Sequence, residues 1–273
     1  MADSPWAGSP RADAGDVAGE VAVVIPARDA ADGVGATVRA LHGLPRLRHV
    51  IVVDDGSRDA TARQAAAAGA LVLRHPHHRG RAAALATGAD RVAQLDDAAG
   101  LPPSLLLFVD ADLGGSAVHV AALVEPVRAG TVDMTIAVRP SRRPGDDGPV
   151  ARLARAGIAA ATGFTATEPL SGLRCLAPAA FRAARPLAPG WGLGTALTID
   201  LLLAGFRVVE VPCDLGRRPG AGDVGGRWRQ LRDVARVLAV RRARRALPLR
   251  VLRVLRVVGG AARLLSRKHP GDR

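Results

Sequence analysis

The chain has 273 residues, 48% of them hydrophobic and 23% charged, which suffices for a large buried core without disulfide bridges. It contains no run of roughly 20 apolar, uncharged residues, the length that a membrane-spanning helix needs, and this argues against an integral membrane protein. Its 38 basic and 25 acidic residues give a net charge of +13, a surplus typical of proteins that bind phosphates, nucleic acid or anionic membranes.

The first twenty residues are rich in Ala, Gly, Asp and Pro. They lack the apolar stretch of a signal peptide and predict a disordered extension over 1–20. The two cysteines, Cys175 and Cys213, are too few for a secreted disulfide scaffold and suit a reducing compartment. We therefore expect a cytoplasmic protein.

Short aliphatic runs alternate with stretches of helical length through the first half of the chain. The runs predict buried strands at Val21–Ile25, His49–Val53, Ala70–Leu73, Leu105–Val109 and Val132–Val138. The stretches between them predict helices at Val34–Gly43, Ala60–Gly69, Arg79–Leu95 and Ala117–Arg128. This alternation indicates an α/β fold with a mainly parallel central sheet flanked by helices.

The second half is less regular. After a Pro- and Gly-rich loop over 140–149, the pattern predicts a helix, a strand, a helix and a strand at Val150–Thr162, Leu170–Leu176, Thr195–Ala204 and Phe206–Val211. A basic, Gly-rich loop at 216–226 precedes two further helices, Trp228–Ala246 and Leu249–Leu265, separated at Pro248. We expect a main α/β domain over 21–226 and a basic helical tail over 227–273.

The tail carries the whole charge surplus. Residues 227–273 hold 15 Lys and Arg but only two acidic residues, whereas the rest of the chain is balanced. Apolar residues from Leu247 onward are interleaved with Arg250, Arg253 and Arg256. Such a basic amphipathic helix is expected to lie on an anionic membrane surface through residues 247–268, which would place the protein at the inner face of the cell membrane. Packing of its apolar side on the main α/β domain is the alternative.

Carboxylates follow two of the predicted strands. Asp54 and Asp55 come after the second strand, and Asp110 and Asp112 after the fourth. In a parallel sheet these strand ends share one edge, where ligands bind. Four carboxylates there would repel one another unless a cation joins them, and a D-x-D pair suits Mg²⁺ or Mn²⁺ together with phosphate oxygens. Capping of helices and turns is the alternative role for each of them.

The segment His78–Arg81 begins the third predicted helix, where backbone N–H groups and Arg81 could hold an anion. A metal site built from His75, His77 and His78 is disfavoured because no further His or Cys motif supports it. The pair Gly33 and Gly35 is too weak for a dinucleotide fold, and no phosphate-binding loop of Walker type is present. These observations exclude NAD-dependent enzymes and P-loop nucleotidases.

Together these motifs resemble those of inverting family 2 glycosyltransferases of GT-A fold, and among them the dolichyl- or polyprenyl-phosphate mannose and glucose synthases. The resemblance covers residues 21–215. It rests on Val23–Ala27, Val52–Thr61, His78–Arg81, Phe108–Leu113 and Ser171–Arg174, which occur in the family's order.

The resemblance implies a role for each matching residue. Donor binding would fall to Pro26, Ala27, Asp29, Asp54, Asp55, Arg81 and Asp110. Asp110 and Asp112 would hold the divalent metal and the diphosphate, and catalytic roles would fall to Asp112, Arg174 and Asp200. Arg174, Arg217 and Arg218 would bind an acceptor phosphate. The implied partners are a nucleotide-diphosphate sugar and polyprenyl phosphate.

The sequence departs from the family pattern in three respects. Arg28, Asp29 and Ala30 replace its Tyr-Asn-Glu, Gly114 replaces a Gln, and Asp200 is the only carboxylate within 192–200, where members carry an acidic base. A sugar hydroxyl needs such a base when it attacks, whereas a phosphate is already anionic. The missing base therefore favours a phosphate acceptor.

The predicted function is transfer of a sugar from a nucleotide-diphosphate donor to polyprenyl phosphate at the cytoplasmic membrane surface. One alternative is a glycosyltransferase that acts on a soluble phosphorylated acceptor. Another is a catalytically impaired protein that binds nucleotide sugars or nucleic acid. Nucleic acid is disfavoured because aromatic residues, on which bases stack, make up only 3% of the chain.

Overall fold

The computed structural model describes residues 19–140, 148–215 and 224–246, apart from the side chains of 224–227 and 243–246. The strands of this part are β1 Val21–Ala27, β2 Leu47–Asp54, β3 Leu71–Arg74, β4 Leu105–Phe108, β5 Met134–Val138, β6 Arg174–Leu176 and β7 Val208–Pro212. Its α-helices are α1 Ala31–Leu41, α2 Thr61–Ala67, α3 Arg81–Ala98, α4 Val124–Arg128, α5 Pro149–Thr162, α6 Pro178–Ala183, α7 Leu193–Leu203 and α8 Val224–Ala246. The strands form one sheet in the order β3-β2-β1-β4-β6-β5-β7, which confirms the predicted α/β fold.

The central strand β1 shows why the sheet is covered on both faces. Its odd-numbered residues Val21, Val23 and Ile25 enter one hydrophobic core. Ala22 and Val24, which alternate with them, enter the other. All five are fully buried, as the two-residue period of a strand between two layers of helices requires.

The parallel pairing of β1 with its neighbours brings the ends of three strands to one edge. Ala27 at the end of β1 pairs with Asp54 at the end of β2. On the other side Val24 pairs with Phe108 at the end of β4. Because the chain turns to opposite sides of β1, a crevice opens at this carboxyl edge, where α/β proteins bind ligands.

One inner strand runs the other way. β6 is antiparallel to both β4 and β5, and its first residue, Arg174, pairs with Phe108 and with Ile136. A reversed strand begins at the edge where its neighbours end. The reversal therefore delivers Arg174 to the same edge as Asp54 and Asp110.

Two elements differ from the sequence-based prediction. The helix predicted at Ala117–Arg128 is a 3₁₀ segment over Gly114–Leu123 followed by the short α4. Two adjacent glycines at its start, and Pro126, which lacks the N–H that a continuous α-helix would use, account for the difference. The six-residue α6 was not predicted because it is too short to show a helical period, although it begins with the favourable Pro178. The helix predicted at Leu249–Leu265 lies outside the described residues.

Helix α8 packs on the body of the protein. Val234 is fully buried and contacts Val150 and Ala154 of α5. Val237 joins a second cluster with Ala188 and Ala196. Within the residues that the structure describes, no helix has both the length and the apolar character needed to cross a membrane.

Candidate active site

The D-x-D segment follows β4 and is fixed from α1. Thr37 donates its hydroxyl to the Ala111 carbonyl (2.9 Å) and accepts the Gly114 N–H (2.8 Å). Asp110 is buried, with 7% of its surface exposed, whereas Asp112 is exposed. The loop thus presents one carboxylate inside the crevice and one at its mouth.

Arg81 lies beside the D-x-D segment. It is the first residue of α3, forms an ion pair with Asp110 and donates to the Gly172 carbonyl (3.2 Å). Burial lowers the pKa of Arg81 to about 10, although the negative charge of Asp112 opposes the shift. The guanidinium stays protonated at neutral pH and places a positive charge beside the carboxylates of the D-x-D segment.

Arg174 is the most deeply buried cation of this edge, with only 1% of its surface exposed. Its Nε donates to the Ser171 carbonyl (3.0 Å) and its Nη1 to the Thr198 hydroxyl (3.0 Å). Its Nη2 has no hydrogen-bond partner among the described residues. Burial lowers the pKa of Arg174 to about 9, with Glu210 opposing the shift and Arg81 adding to it.

A cleft connects these groups. Its polar lining includes Arg81, Asp110, Gly172 and Arg174, and Trp191 stands at its wall with 56% of its surface exposed. The remaining walls are largely apolar and comprise Leu85, Phe108, Leu170, Leu193 and Leu197. An apolar cleft with two convergent guanidinium groups suits an anionic ligand, because the low dielectric strengthens their attraction to it.

The two aspartates after β2 have different surroundings. Asp54 accepts the Ser57 N–H (2.8 Å) and forms an ion pair with Arg74 (3.2 Å). Asp55 accepts hydrogen bonds from the segment between β3 and α3. Burial on its own would raise the pKa of Asp55, but the hydrogen bonds from His75, Arg79 and Gly80 and the nearby His78 hold the pKa below its usual value.

The predicted donor residues after β1 lie at the same edge. Pro26 and Ala27 end the strand, and the Ala27 carbonyl accepts the Asp55 N–H (2.8 Å). Asp29 has a positive φ of 48°; its N–H donates to the Ser57 hydroxyl (3.0 Å) and its carboxylate accepts the Arg58 N–H (2.9 Å). These bonds join the loops after β1 and β2 into one rim of the crevice.

Asp200 lies away from this cleft. It forms an ion pair with Arg241, in which Arg241 Nε donates over 3.0 Å, and it is not among the side chains that line the cleft. The catalytic role predicted for Asp200 therefore finds no geometric support, because the carboxylate already joins α7 to α8. Arg217 and Arg218, predicted to bind the acceptor phosphate, lie outside the described residues.

We expect Asp200→Asn to keep kcat/KM within about threefold of the wild-type value and to lower the free energy of unfolding by about 1 kcal/mol, the usual contribution of a partly exposed ion pair. Arg241→Gln removes the other partner and should behave alike. Steady-state kinetics and urea unfolding of both variants check this. A loss of more than about 100-fold in Asp200→Asn alone, with unchanged stability, would identify Asp200 as a general base.

The residues at the D-x-D segment fit a hard divalent cation. Among the described residues there is no cluster of three or more His, Cys, Asp and Glu side chains that could enclose a metal. Asp110 and Asp112 supply two carboxylates, and Mg²⁺ or Mn²⁺ bound in this way completes its shell with phosphate oxygens and water. The donor set thus suits a metal that arrives with a diphosphate.

Sequence reasoning missed several residues that hold the site together. Thr37 fixes the D-x-D loop, Thr198 and the Ser171 carbonyl hold Arg174, and Trp191 lines the cleft. A buried threonine on an otherwise apolar helix face was the only available indication for Thr37 and Thr198, both of which are fully buried.

Comparison with known proteins places these features in context. The model of glycosyl transferase family 2 matches residues 22–170. An uncharacterized protein of Methanocaldococcus jannaschii is 34% identical over 120 residues, or 44% of this chain and 46% of that protein. The chain therefore spans about half the length of the curated relative it matches.

Solved structures share the fold over a longer stretch. Glucosyl-3-phosphoglycerate synthase from Mycobacterium tuberculosis, in complex with Mn²⁺, UDP and phosphoglyceric acid, is 24% identical, with a TM-score of 0.63 over 81% of this chain and 78% of that one. A mycobacterial protein is 27% identical, with a TM-score of 0.64 over 81% of this chain and 74% of that one.

Proposed function

Because the chain belongs to glycosyl transferase family 2, we propose that it moves a sugar from a nucleoside-diphosphate donor, with inversion, to an acceptor that carries a phosphate group. One observation carries the proposal. Arg174 is buried at the wall of the cleft, and its Nη2 lacks a hydrogen-bond partner among the described residues. A buried cation with an unused donor is costly unless a ligand supplies the acceptor, and phosphate is an anion that guanidinium groups bind strongly and often through two hydrogen bonds.

The donor side of the proposal rests on Asp110, Asp112 and Arg81. The two carboxylates would hold Mg²⁺ or Mn²⁺, which when bound would neutralise charge on the departing diphosphate. Arg81 would add a second positive charge from the start of α3. The solved relatives include complexes with Mn²⁺ and UDP and with Mg²⁺ and UDP, which supports a uridine nucleotide as the first donor to try.

A soluble phosphorylated acceptor is the first candidate. The solved synthase from Mycobacterium tuberculosis was captured with phosphoglyceric acid, a small molecule whose phosphate could meet Arg174 in a cleft of the same fold. The membrane surface predicted for residues 247–268 is not needed for such an acceptor.

Polyprenyl phosphate, the acceptor predicted from the sequence, is the second candidate. The cleft favours it in one respect, because five of the side chains that line it beside Arg174 are Leu or Phe, and an isoprenoid chain needs apolar contacts next to its phosphate. Peripheral attachment at the inner face of the membrane belongs to this candidate alone.

The chain's own residues suggest which atom attacks. Asp110 is the only carboxylate among the described residues that line the cleft, and it is paired with Arg81. A hydroxyl nucleophile would need a free base nearby, whereas a phosphate oxygen needs only to be held in line with the anomeric carbon. Arg174 is suited to hold it, so the geometry favours attack by a phosphate oxygen.

Release of nucleoside diphosphate by the full chain tests the proposal. UDP- and GDP-sugars with Mn²⁺ are incubated with 3-phosphoglycerate or with detergent-dispersed polyprenyl phosphate, and glycerate and polyprenol serve as matched acceptors without phosphate. We expect release only with a phosphate-bearing acceptor, and phosphorus NMR of the product then shows whether a phosphodiester has formed. No release with any donor would overturn the proposal and leave a protein that only binds nucleotide sugars.

We expect Asp112→Asn to lower kcat/KM about 100-fold, because the amide keeps the shape of the side chain but removes a negative ligand of the metal. Isothermal titration with Mn²⁺ and UDP should show weaker metal binding in the same variant. Asp97→Asn, the same change at an exposed position of α3, is the control. Wild-type metal affinity and activity in Asp112→Asn would rule out the proposed metal site.

A further inference from the structure

The Asp55 carboxylate is held by the segment that leads from β3 into α3. His75 donates its Nδ1–H (2.7 Å), and the backbone N–H groups of Arg79 (2.9 Å) and Gly80 (2.8 Å) donate as well. His78 Nδ1 lies 2.7 Å from the other carboxylate oxygen. Three hydrogen-bond donors and the His78 ring, all within six consecutive residues, thus converge on one carboxylate, an arrangement that we call the Asp55 clasp.

These groups flank both oxygens of Asp55. Oδ1 accepts hydrogen bonds from His75 and from the Arg79 N–H, whereas Oδ2 accepts one from the Gly80 N–H and lies 2.7 Å from His78 Nδ1. An ionised carboxylate offers about four lone-pair positions. Asp55 is also 97% buried, with 3% of its surface exposed. Groups of this chain therefore enclose both oxygens, which leaves Asp55 poorly placed to meet the base or ribose of a nucleotide, the contact that the family resemblance implied.

The clasped segment ends at Arg81. Gly80 caps α3 with a φ of +91°, and the next residue, Arg81, pairs with Asp110. Gly56 lets the loop after β2 approach this segment, since a Cβ there would lie 2.8 Å from His77 C and His78 N. His75 is joined to α3 as well, with Nε2 3.0 Å from the Thr87 hydroxyl. Each contact restrains the start of α3.

We propose that Asp55 is a positioning residue that fixes Arg81 beside Asp110 for the donor diphosphate, and that it does not contact the nucleoside. The inference rests on the proposed function only in taking the ligand at Asp110 to be a diphosphate. Negative charge on Asp55 is essential to this role, because an amide in its place would turn an N–H toward two donors. Asp55→Asn should therefore release the segment and displace Arg81 without altering the nucleoside pocket.

Binding of UDP and of uridine separates positioning from direct contact. Isothermal titration with Mn²⁺ should show UDP affinity about tenfold lower in Asp55→Asn, as loss of a charge-assisted phosphate contact predicts, and uridine affinity within about twofold of wild type. His78→Phe, which keeps the Asp55 carboxylate, should also weaken UDP and spare uridine. If the release assay shows that the protein uses a GDP-sugar, GDP and guanosine take the place of UDP and uridine in this experiment. Equal losses of UDP and uridine affinity in Asp55→Asn would overturn the inference.

A double variant tests the link to Arg81. If Asp55 acts through Arg81, then Asp55→Asn combined with Arg81→Ala should bind UDP no more weakly than Arg81→Ala alone. Additive losses would contradict the inference. Asp97→Asn, an exposed position on the same helix, is the matched control.

Hydrogen exchange of the ligand-free protein tests whether Asp55 holds the segment that leads into α3. Amides of residues 75–81 should exchange at least about tenfold faster in Asp55→Asn than in wild type or Asp97→Asn, because the clasp holds the Arg79 and Gly80 N–H groups. Unchanged exchange would overturn the inference. If wild-type protein binds no nucleoside diphosphate, the proposed function fails, while faster exchange would still support the hold of Asp55 on the start of α3.

Discussion

Arg174→Met is expected to lower acceptor-dependent kcat/KM by about 10²–10³-fold, the scale seen when a preorganised charge-stabilising donor is removed. The variant should nevertheless remain as stable as wild type or become more stable. A buried cation whose pKa has fallen to about 9 opposes folding, and methionine fills a similar volume without that charge. Loss of activity together with retained stability is the signature of a residue kept for its ligand.

Steady-state kinetics and thermal unfolding of Arg174→Met check both halves. Arg174→Lys should recover part of the activity, because an ammonium keeps the charge but cannot make the same set of hydrogen bonds. Arg152→Met, at an exposed position of α5, controls for the change of residue type. Wild-type activity in Arg174→Met would exclude a role in acceptor binding, and a marked loss of stability would show that Arg174 mainly supports the sheet.

Arg48→Met should lower the free energy of unfolding by about 3–5 kcal/mol, because it strips the partner from a buried carboxylate. The Arg48 side chain, 8% exposed, pairs with Asp96 (2.6 Å), whose side chain is 2% exposed, and with Glu20 (2.5 Å). It also donates to the Pro102 carbonyl and the Ser104 hydroxyl, both at 2.9 Å. This network joins the start of β2 to the end of α3, far along the sheet from the cleft.

Urea unfolding measures the loss, and the second variant Arg48→Met with Asp96→Asn separates charge from packing. Neutralising Asp96, which lacks its partner once Arg48 is replaced, should restore part of the stability, since the two residues are in contact and the effects of their substitutions are not additive. The folded fraction of Arg48→Met should keep the wild-type KM. A loss below about 1 kcal/mol would mean that water reaches Asp96 and that the pair behaves as a surface ion pair.

The parallel half of the sheet could be predicted from local patterns. β1, β2 and β4 each contain a run of at least three consecutive aliphatic residues, followed by Pro, Asp or an adjacent acidic segment, so both the burial of these runs and the edge that carries Asp54 and Asp110 follow from the sequence. The direction of β6 could not be predicted, because three residues carry no period that distinguishes a parallel strand from an antiparallel one. The strands with which β6 pairs are determined by packing between residues that lie far apart in the chain.

The residues of the candidate site likewise fall into two groups: those that local motifs predict and those whose contacts only the folded chain reveals. Asp110, Asp112, Arg81 and Arg174 belong to short motifs, and the structure brings them to one edge. The engagement of Asp200 with Arg241 joins residues 41 positions apart, and no local pattern records such a pair. The three hydrogen bonds to Asp55 likewise come from a segment 20 to 25 residues downstream, so the motif alone suggested a ligand contact where the fold supplies the partners itself.

The packing of α8 on the rim of the cleft makes this helix part of the framework that shapes the cleft. Side chains at Gly190 and Gly192 would overlap Asp233 and Val237 of α8, and Asp233 accepts the N–H of the intervening Trp191 (3.2 Å). The domain boundary expected at residue 226 falls inside α8. We therefore expect changes to the chain beyond Arg241 to leave the cleft rim intact, whereas a cut earlier in α8 would remove the helix against which the Gly190–Gly192 turn packs.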